Sequence, residues 1–193
     1  MLTYGEDYFQ QKEARQRGRN NPDTQSGYDE YSVHDAPDEQ AVQACIDAIQ
    51  PTARAQILEI GSAYGYTVQK LRQRGYTCFG LDISTFVAPR DVSGFLTVGD
   101  ARLTAYTTYN HVIGFNILSC FTDLELAPLI IALNRSRGKN FFQIDDALEV
   151  PENIIRREAL SNYNLKTLAD WSRMPWKVGT TLRAWRTGET VIK

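Results

Sequence analysis

The chain has 193 residues, 42% hydrophobic and 23% charged, the balance of one ordinary soluble domain with a sizeable core. Its net charge of −2 supplies no general field for nucleic acid or an acidic membrane surface. Cys45, Cys78 and Cys120 are odd in number and widely spaced, which excludes a disulfide framework and a cysteine metal site and fits a reducing, cytoplasmic setting. No run approaches about 18 apolar residues, so no membrane span is expected. Met1–Glu6 lacks a secretory pattern.

A single domain, 1–193, is expected, with a distinct leading segment 1–36 before a core 37–193. The leading segment sets Tyr4, Tyr8, Phe9, Tyr28 and Tyr31 among polar residues. That mixture fits a lid over a site or an arm covering the sheet. Arg15, Arg17 and Arg19 make it locally basic, either as a solvated helix face or as a contact to phosphate.

Asp38 to Ile49 reads as a helix, with Val42, Cys45, Ile46 and Ile49 on one face and Pro51 ending it. Gln56 to Ile60 is an apolar run that reads as a buried strand. Gly61-Ser62-Ala63-Tyr64-Gly65 then forms a tight turn. Thr67 to Gln73 is a short amphipathic helix stopped by Gly75. A second strand, Thr77 to Leu81, ends in Asp82. Such a unit offers helix N–H groups to a carboxylate or phosphate, and an acid that accepts two hydrogen bonds from ribose hydroxyls. It describes a site for an adenosine-bearing cofactor.

Dinucleotide enzymes use G-x-G-x-x-G at this turn. Here the small residues fall at Gly61, Ala63 and Gly65, with Glu59 two positions before the first. This resembles the E/D-x-G-x-G-x-G motif of the class I S-adenosylmethionine-dependent methyltransferases, with Ala63 where that family most often has glycine. The resemblance covers residues 55 to 146 well and the flanks loosely. It implies an α/β fold: a doubly wound, mostly parallel sheet of the Rossmann-like methyltransferase type. Asp7-Tyr8-Phe9 and Gly27-Tyr28-Asp29-Glu30-Tyr31 look like the leading segments of small members.

After Asp82, Ser84 to Pro89 reads as a short helix broken by Pro89. Phe95 to Val98 is a third strand, ending in Gly99-Asp100-Ala101. In the family an acid at the Asp100 position receives the adenine amino group, and the next N–H reaches the ring. Asp100 equally fits a turn or cap. Tyr109 to Leu118 reads as the fourth strand, similar to the family's F-D-L-V-x-S-F-E-V-L-E-H. By that likeness Asn116 stands beside the methyl donor, and Ser119 and Cys120 replace the family's E-H. His111 falls at the strand's start, far from a crevice at the carboxyl ends, and reads as structural.

Asp123 to Asn134 is a helix with Leu124, Leu126, Leu129, Ile130 and Leu133 as its apolar face. Phe141 to Ile144 is the fifth strand, with Asp145 and Asp146 at its end to position an acceptor or to cap the next segment. A divalent metal there would need a third ligand, and none is expected. Pro151 to Leu160 reads as a helix. Trp171 to Trp176 either lines a substrate pocket or packs in the core. Residues 163 to 189 carry alternating stretches that finish the sheet as a C-terminal antiparallel edge hairpin.

The resemblance implies methyl transfer from S-adenosyl-L-methionine to an oxygen or nitrogen of a small molecule, with no membrane or nucleic-acid partner. The implied cofactor set is Glu59, Gly61, Ser62, Ala63, Gly65, Asp82, Ile83, Asp100, Ala101 and Asn116. Asn116, Asp145 and Asp146 are the candidates for positioning the acceptor. Two alternatives stay open: another enzyme on the fold, such as an aminopropyl transferase or lyase, and a non-catalytic module that binds the cofactor.

Overall fold

The computed structural model describes residues 37–144, 166–185 and 187–193. The leading segment, Asp145, Asp146 and the helix expected over 151–160 lie outside these residues.

Helix α1, Glu39–Ile49, starts on Asp38, whose carboxylate accepts from the Ala41 N–H at 2.6 Å. Strand β1, Gln56–Ile60, leads through the glycine turn into α2, Tyr66–Gln73, and then β2, Thr77–Asp82. Strand β3 is Leu96–Val98, β4 is His111–Phe115, α3 is Asp123–Leu133 and β5 is Asn140–Ile144. Helix α4, Leu168–Ser172, precedes β6, Thr180–Ala184, and β7, Thr190–Ile192. The seven strands lie in the order β3-β2-β1-β4-β5-β6-β7, all parallel except β7, which pairs antiparallel with β6.

Strand residues alternate between two cores, as the pleat requires. Ile57, Cys78, Ile113 and Phe141 face α1 and α2, meeting Val42, Cys45, Ile49, Val68 and Leu71. Leu58, Ile60, Val112, Phe142, Ile144 and Leu182 face α3 and α4, meeting Leu126, Leu129, Ile130, Leu133 and Trp171. Strands buried on both faces explain the near-continuous apolar runs of the sequence. Among the described residues, no helix is long and apolar enough to cross a membrane.

Several sequence expectations are corrected. Ser84 to Pro89 is a turn that ends in a 3-10 stretch, Ala88–Arg90. The Asp82 carboxylate takes the Ser84 N–H and the Ser84 hydroxyl takes the Phe86 N–H, which competes with helix formation. Strand β4 stops at Phe115, well before Leu118, because Asn116 turns left-handed at φ +55°. On α3, Leu124 points to solvent at 90% exposure and is not part of the apolar face. The expected C-terminal antiparallel edge hairpin is present as β6 with β7, and β6 itself joins the sheet parallel to β5. Of the two readings for the tryptophans, packing holds: Trp171 and Trp176 are buried, and Trp176 stacks on Phe142 with ring centroids 5.3 Å apart.

The amino ends of β4 and β5 are joined by polar side chains. His111 Nδ1 pairs with the Lys139 carbonyl at 2.8 Å, and burial lowers the pKa of its ring. Asn140, fully buried, accepts from the Val112 N–H and the Ser136 hydroxyl and donates to the Leu133 carbonyl. One side chain thus ties β5 to β4 and to the end of α3. Asn140→Leu leaves the Val112 N–H without its acceptor, while the Leu133 carbonyl keeps the Ser136 N–H and the Ser136 hydroxyl keeps Lys177, and should cost about 2 kcal/mol. Urea unfolding of the variant checks this; a loss under about 0.5 kcal/mol would mean the neighbours find other partners.

Candidate functional site

The chain runs outward from β1 to β3, then returns to the other side of β1 as β4. The reversal lies between β1 and β4, and the crevice outside their carboxyl ends is where open α/β sheets bind ligands. The Gly61–Gly65 turn lines one side, and Asn116 lines the other.

The turn holds three left-handed residues, Gly61 at φ +69°, Ala63 at +47° and Gly65 at +77°. Alanine in this region carries strain, which is why glycine is the commoner choice there. The hollows left by the missing side chains are filled by the chain itself. A Cβ on Gly61 would stand 2.5 Å from Ile117 Cδ1, and one on Gly65 would stand 2.6 Å from Asp91 Oδ1. Gly80 on β2 similarly admits the Ser62 hydroxyl.

Asp82 fastens the turn to β2. Its carboxylate accepts from the Ala63 N–H at 2.9 Å and from the Ser84 N–H at 2.9 Å, and the Ile83 N–H also stabilises the charge. Burial outweighs these bonds and raises its pKa above the ordinary value. Three further N–H groups of the turn are also spent within the protein. Gly61 and Ser62 donate to the Leu81 carbonyl, and Gly65 donates to the Ser62 carbonyl.

Glu59 is 3% exposed, on the sheet face covered by α1 and α2, close to Thr67 at the start of α2. Burial holds its carboxyl up to about 7 against the lowering effect of the Thr67 and Ser62 hydroxyls; the charge of Asp82 adds to the rise. Among the described residues its Oε2 has no hydrogen-bond partner, and neither has the buried Oδ1 of Asn116 across the crevice. Two orphaned acceptors therefore stand at the ends of adjacent strands.

Asp100 follows β3, at the rim. Its two oxygens are gripped by the Arg102 guanidinium, at 2.6 Å from Nη2, and this bond holds its pKa below the ordinary value. Arg102 reaches on to Glu125, whose carboxylate takes the Thr122 N–H at the start of α3. The Tyr106 hydroxyl donates to the Ala101 carbonyl at 2.6 Å, fixing the backbone beside Asp100. The fold thus sets Glu59, Gly61, Ser62, Ala63, Gly65, Asp82, Ile83 and Asn116 around the switch point, with Asp100 and Ala101 after the neighbouring strand β3.

Sequence reasoning missed Ile117, Asp91, Arg102, Tyr106 and Arg183. Ile117 had a signal, since a bulky residue directly after Asn116 is placed to seal the glycine turn. The arginines had none: Arg183 stands in an alternating stretch, where an arginine reads as exposed, and Arg102 stands in the loop after β3. Among the described residues no cluster of three histidine, cysteine, aspartate or glutamate side chains could hold a metal ion.

No protein-family profile matches the chain, and no curated protein matches its sequence. Many solved structures do match its fold. Phosphoethanolamine N-methyltransferase 2 of Haemonchus contortus, solved with phosphomonomethylethanolamine and S-adenosylhomocysteine, superposes with a TM-score of 0.57 at 17% identity, over 69% of this chain and 35% of that one. A protein of Anabaena variabilis, described as a methyltransferase of an antibiotic biosynthesis pathway, gives a TM-score of 0.55 at 19% identity, over 63% of this chain and 51% of that one. The Haloferax volcanii complex of the Trm112 methyltransferase activator with its methyltransferase gives 0.55 at 15% identity, over 67% and 62%. The match spans less than two-thirds of each of these chains. At these identities the likeness defines the fold, which is that of the class I, Rossmann-like methyltransferases.

The buried Glu59 makes stability depend on pH. Its folded pKa lies above the unfolded one, so the folded state holds the proton more tightly between 4.5 and about 7. Stability of the free protein should therefore fall as pH rises through that window, by roughly 3 kcal/mol from this group. Glu59→Gln should flatten the fall. Urea unfolding at about pH 5 and about pH 8 measures both slopes, and equal slopes in the two proteins would show that Glu59 ionises freely when folded.

Proposed function

We propose that the chain is an S-adenosyl-L-methionine-dependent methyltransferase acting on an oxygen or nitrogen of a small molecule. The observation that carries this is the pair of acceptors left orphaned among the described residues, Glu59 Oε2 and Asn116 Oδ1, beside a turn whose Gly61, Ser62, Ala63 and Gly65 N–H groups are already donated to Leu81, Asp82 and Ser62. The strand order alone fits a dinucleotide cofactor as well. A pyrophosphate, however, needs free N–H donors and no buried acid. Acceptors without donors suit a ligand that brings cationic N–H groups, which the methionine part of the cofactor does.

When bound, the cofactor supplies a methyl group activated on a sulfonium; the acceptor's lone pair takes the methyl carbon, and the C–S electron pair stays with sulfur. Glu59 and Asn116 hold the ammonium end. Each oxygen of Asp82 keeps a lone pair beyond its backbone bond for the ribose hydroxyls. Asp100, steadied by Arg102, and the backbone of Ala101 face the adenine. Gly61, Ser62, Ala63, Gly65 and Ile83 shape the wall. Asp145 and Asp146 position the acceptor, and residues 1–36 cover it, excluding water from the sulfonium. Alignment and water exclusion meet most of the demand of this reaction, so a dedicated strong base is not required for every acceptor. The Haemonchus contortus neighbour, solved with a small phosphorylated amine, is in keeping with a small-molecule acceptor.

Calorimetric titration with S-adenosylhomocysteine should show saturable binding. Asp82→Ala should lower the affinity at least about tenfold, from the loss of ribose bonds worth roughly 1.5–3 kcal/mol each. Because Asp82 also fastens the turn, circular dichroism must show the variant folded; a folded variant with unchanged affinity would remove Asp82 from the ribose site. Incubating the protein with methyl-labelled cofactor and a metabolite extract should move label into a product. Release of methylthioadenosine instead would identify an aminopropyl-type enzyme, and binding without turnover would identify a cofactor-binding module.

A further inference from the structure

Arg183, on β6, is 8% exposed. Among the described residues its guanidinium donates to one acceptor, Gln143 Oε1, at 2.6 Å from Nη1, and no carboxylate stands within ion-pair distance. Gln143 is itself buried. A guanidinium remains charged in a protein and carries five N–H donors in a planar fork. Withdrawing it from water costs several kcal/mol unless an opposite charge meets it, and a neutral amide does not supply one.

The fork is placed by its neighbours. Gln143 lies opposite Arg183 on one side and opposite Phe115 on the other, and the Asn116 N–H donates to the Gln143 carbonyl at 2.9 Å. Asn116, Gln143 and Arg183 therefore form a row across the carboxyl ends of β4, β5 and β6. Gly188, in the turn after β6, comes so near that a Cβ there would stand 3.3 Å from Arg183 Nη2. That turn is at the crevice end of a strand parallel to β5, so the guanidinium is directed toward the mouth of the crevice.

We propose that Arg183, oriented by Gln143, binds an oxyanion, a carboxylate or a phosphate monoester, carried by the methyl acceptor. The inference rests on the methyl-transfer reading for the word acceptor, and on Arg183 alone for the anion. A planar fork matches both groups with paired N–H bonds. Parallel strands stand about 4.8 Å apart, so the row from Asn116 to Arg183 spans about 10 Å.

The test uses the whole chain with 15N-labelled arginine, the Arg183 Nε–H signal being assigned in the wild type by triple resonance. Inorganic phosphate and acetate are titrated separately, each with and without S-adenosylhomocysteine. A saturable shift of the Arg183 signal is expected, with phosphate, acetate or both naming the kind of oxyanion, and in Arg183→Gln the anion's binding, followed by calorimetric titration in both proteins, should weaken at least tenfold. If neither anion moves the signal, the proposal is overturned, whether or not that variant folds. If Asp145→Asn or Asp146→Asn moves it while the anions do not, Arg183 belongs to an internal ion pair, and the proposal is likewise overturned. Failure of S-adenosylhomocysteine to bind while the anions still shift the signal would strike the methyl-transfer reading and leave the anion site standing.

Discussion

The site depends on one carboxylate. Asp82 closes β2 and reaches across to the Ala63 N–H, holding an alanine in a left-handed conformation that it does not favour. With its other oxygen it takes the Ser84 N–H and bends the chain away from β2. The turn after β1 and the exit from β2 are thus a single hydrogen-bonded piece. Ile117 seals that piece from the β4 side, filling the hollows over Gly61 and Gly114. One side chain, Ile117, thereby sets the spacing between the turn and the end of β4.

Burial sets the charge character of the crevice. Glu59 and Asp82 both have raised pKa values because both are buried. Two acids crowded at the start of α2 oppose the helix's usual welcome for anions. Farther out, the Asp100–Arg102–Glu125 chain links the loop after β3 to the start of α3, so the crevice rim and the helix that covers the other sheet face share one set of charges. These pairs are partly exposed and contribute more to geometry than to stability.

The elements nearest the crevice were legible in the sequence because local signals and burial agree there. β1 spans the expected residues, and α1, α2, β2 and β5 differ from expectation by a residue at an end. The glycine turn and Asp82 were legible for the same reason: backbone conformation restricts which residues fit. Legibility fails where a side chain captures backbone. Ser84 looks like the start of a helix until its hydroxyl and Asp82 take the amides. Asn116 looks like mid-strand until its φ becomes positive. The arginines were invisible for another reason. Arg183 meets its partner 40 positions away, and Arg102, besides Asp100 two positions before it, reaches Glu125 23 positions on.

The sheet's two outer strands, β3 and β7, are each three residues long. An exposed edge invites another chain to extend the ladder, with aggregation as the hazard. Here Arg72 lies over the Phe95 ring at the entrance to β3, and the ladder beyond it is too short to template a long partner strand. The described domain can therefore keep its long, doubly buried strands in the middle, where the crevice needs them, without presenting a comparable length of strand to its neighbours in a crowded solution.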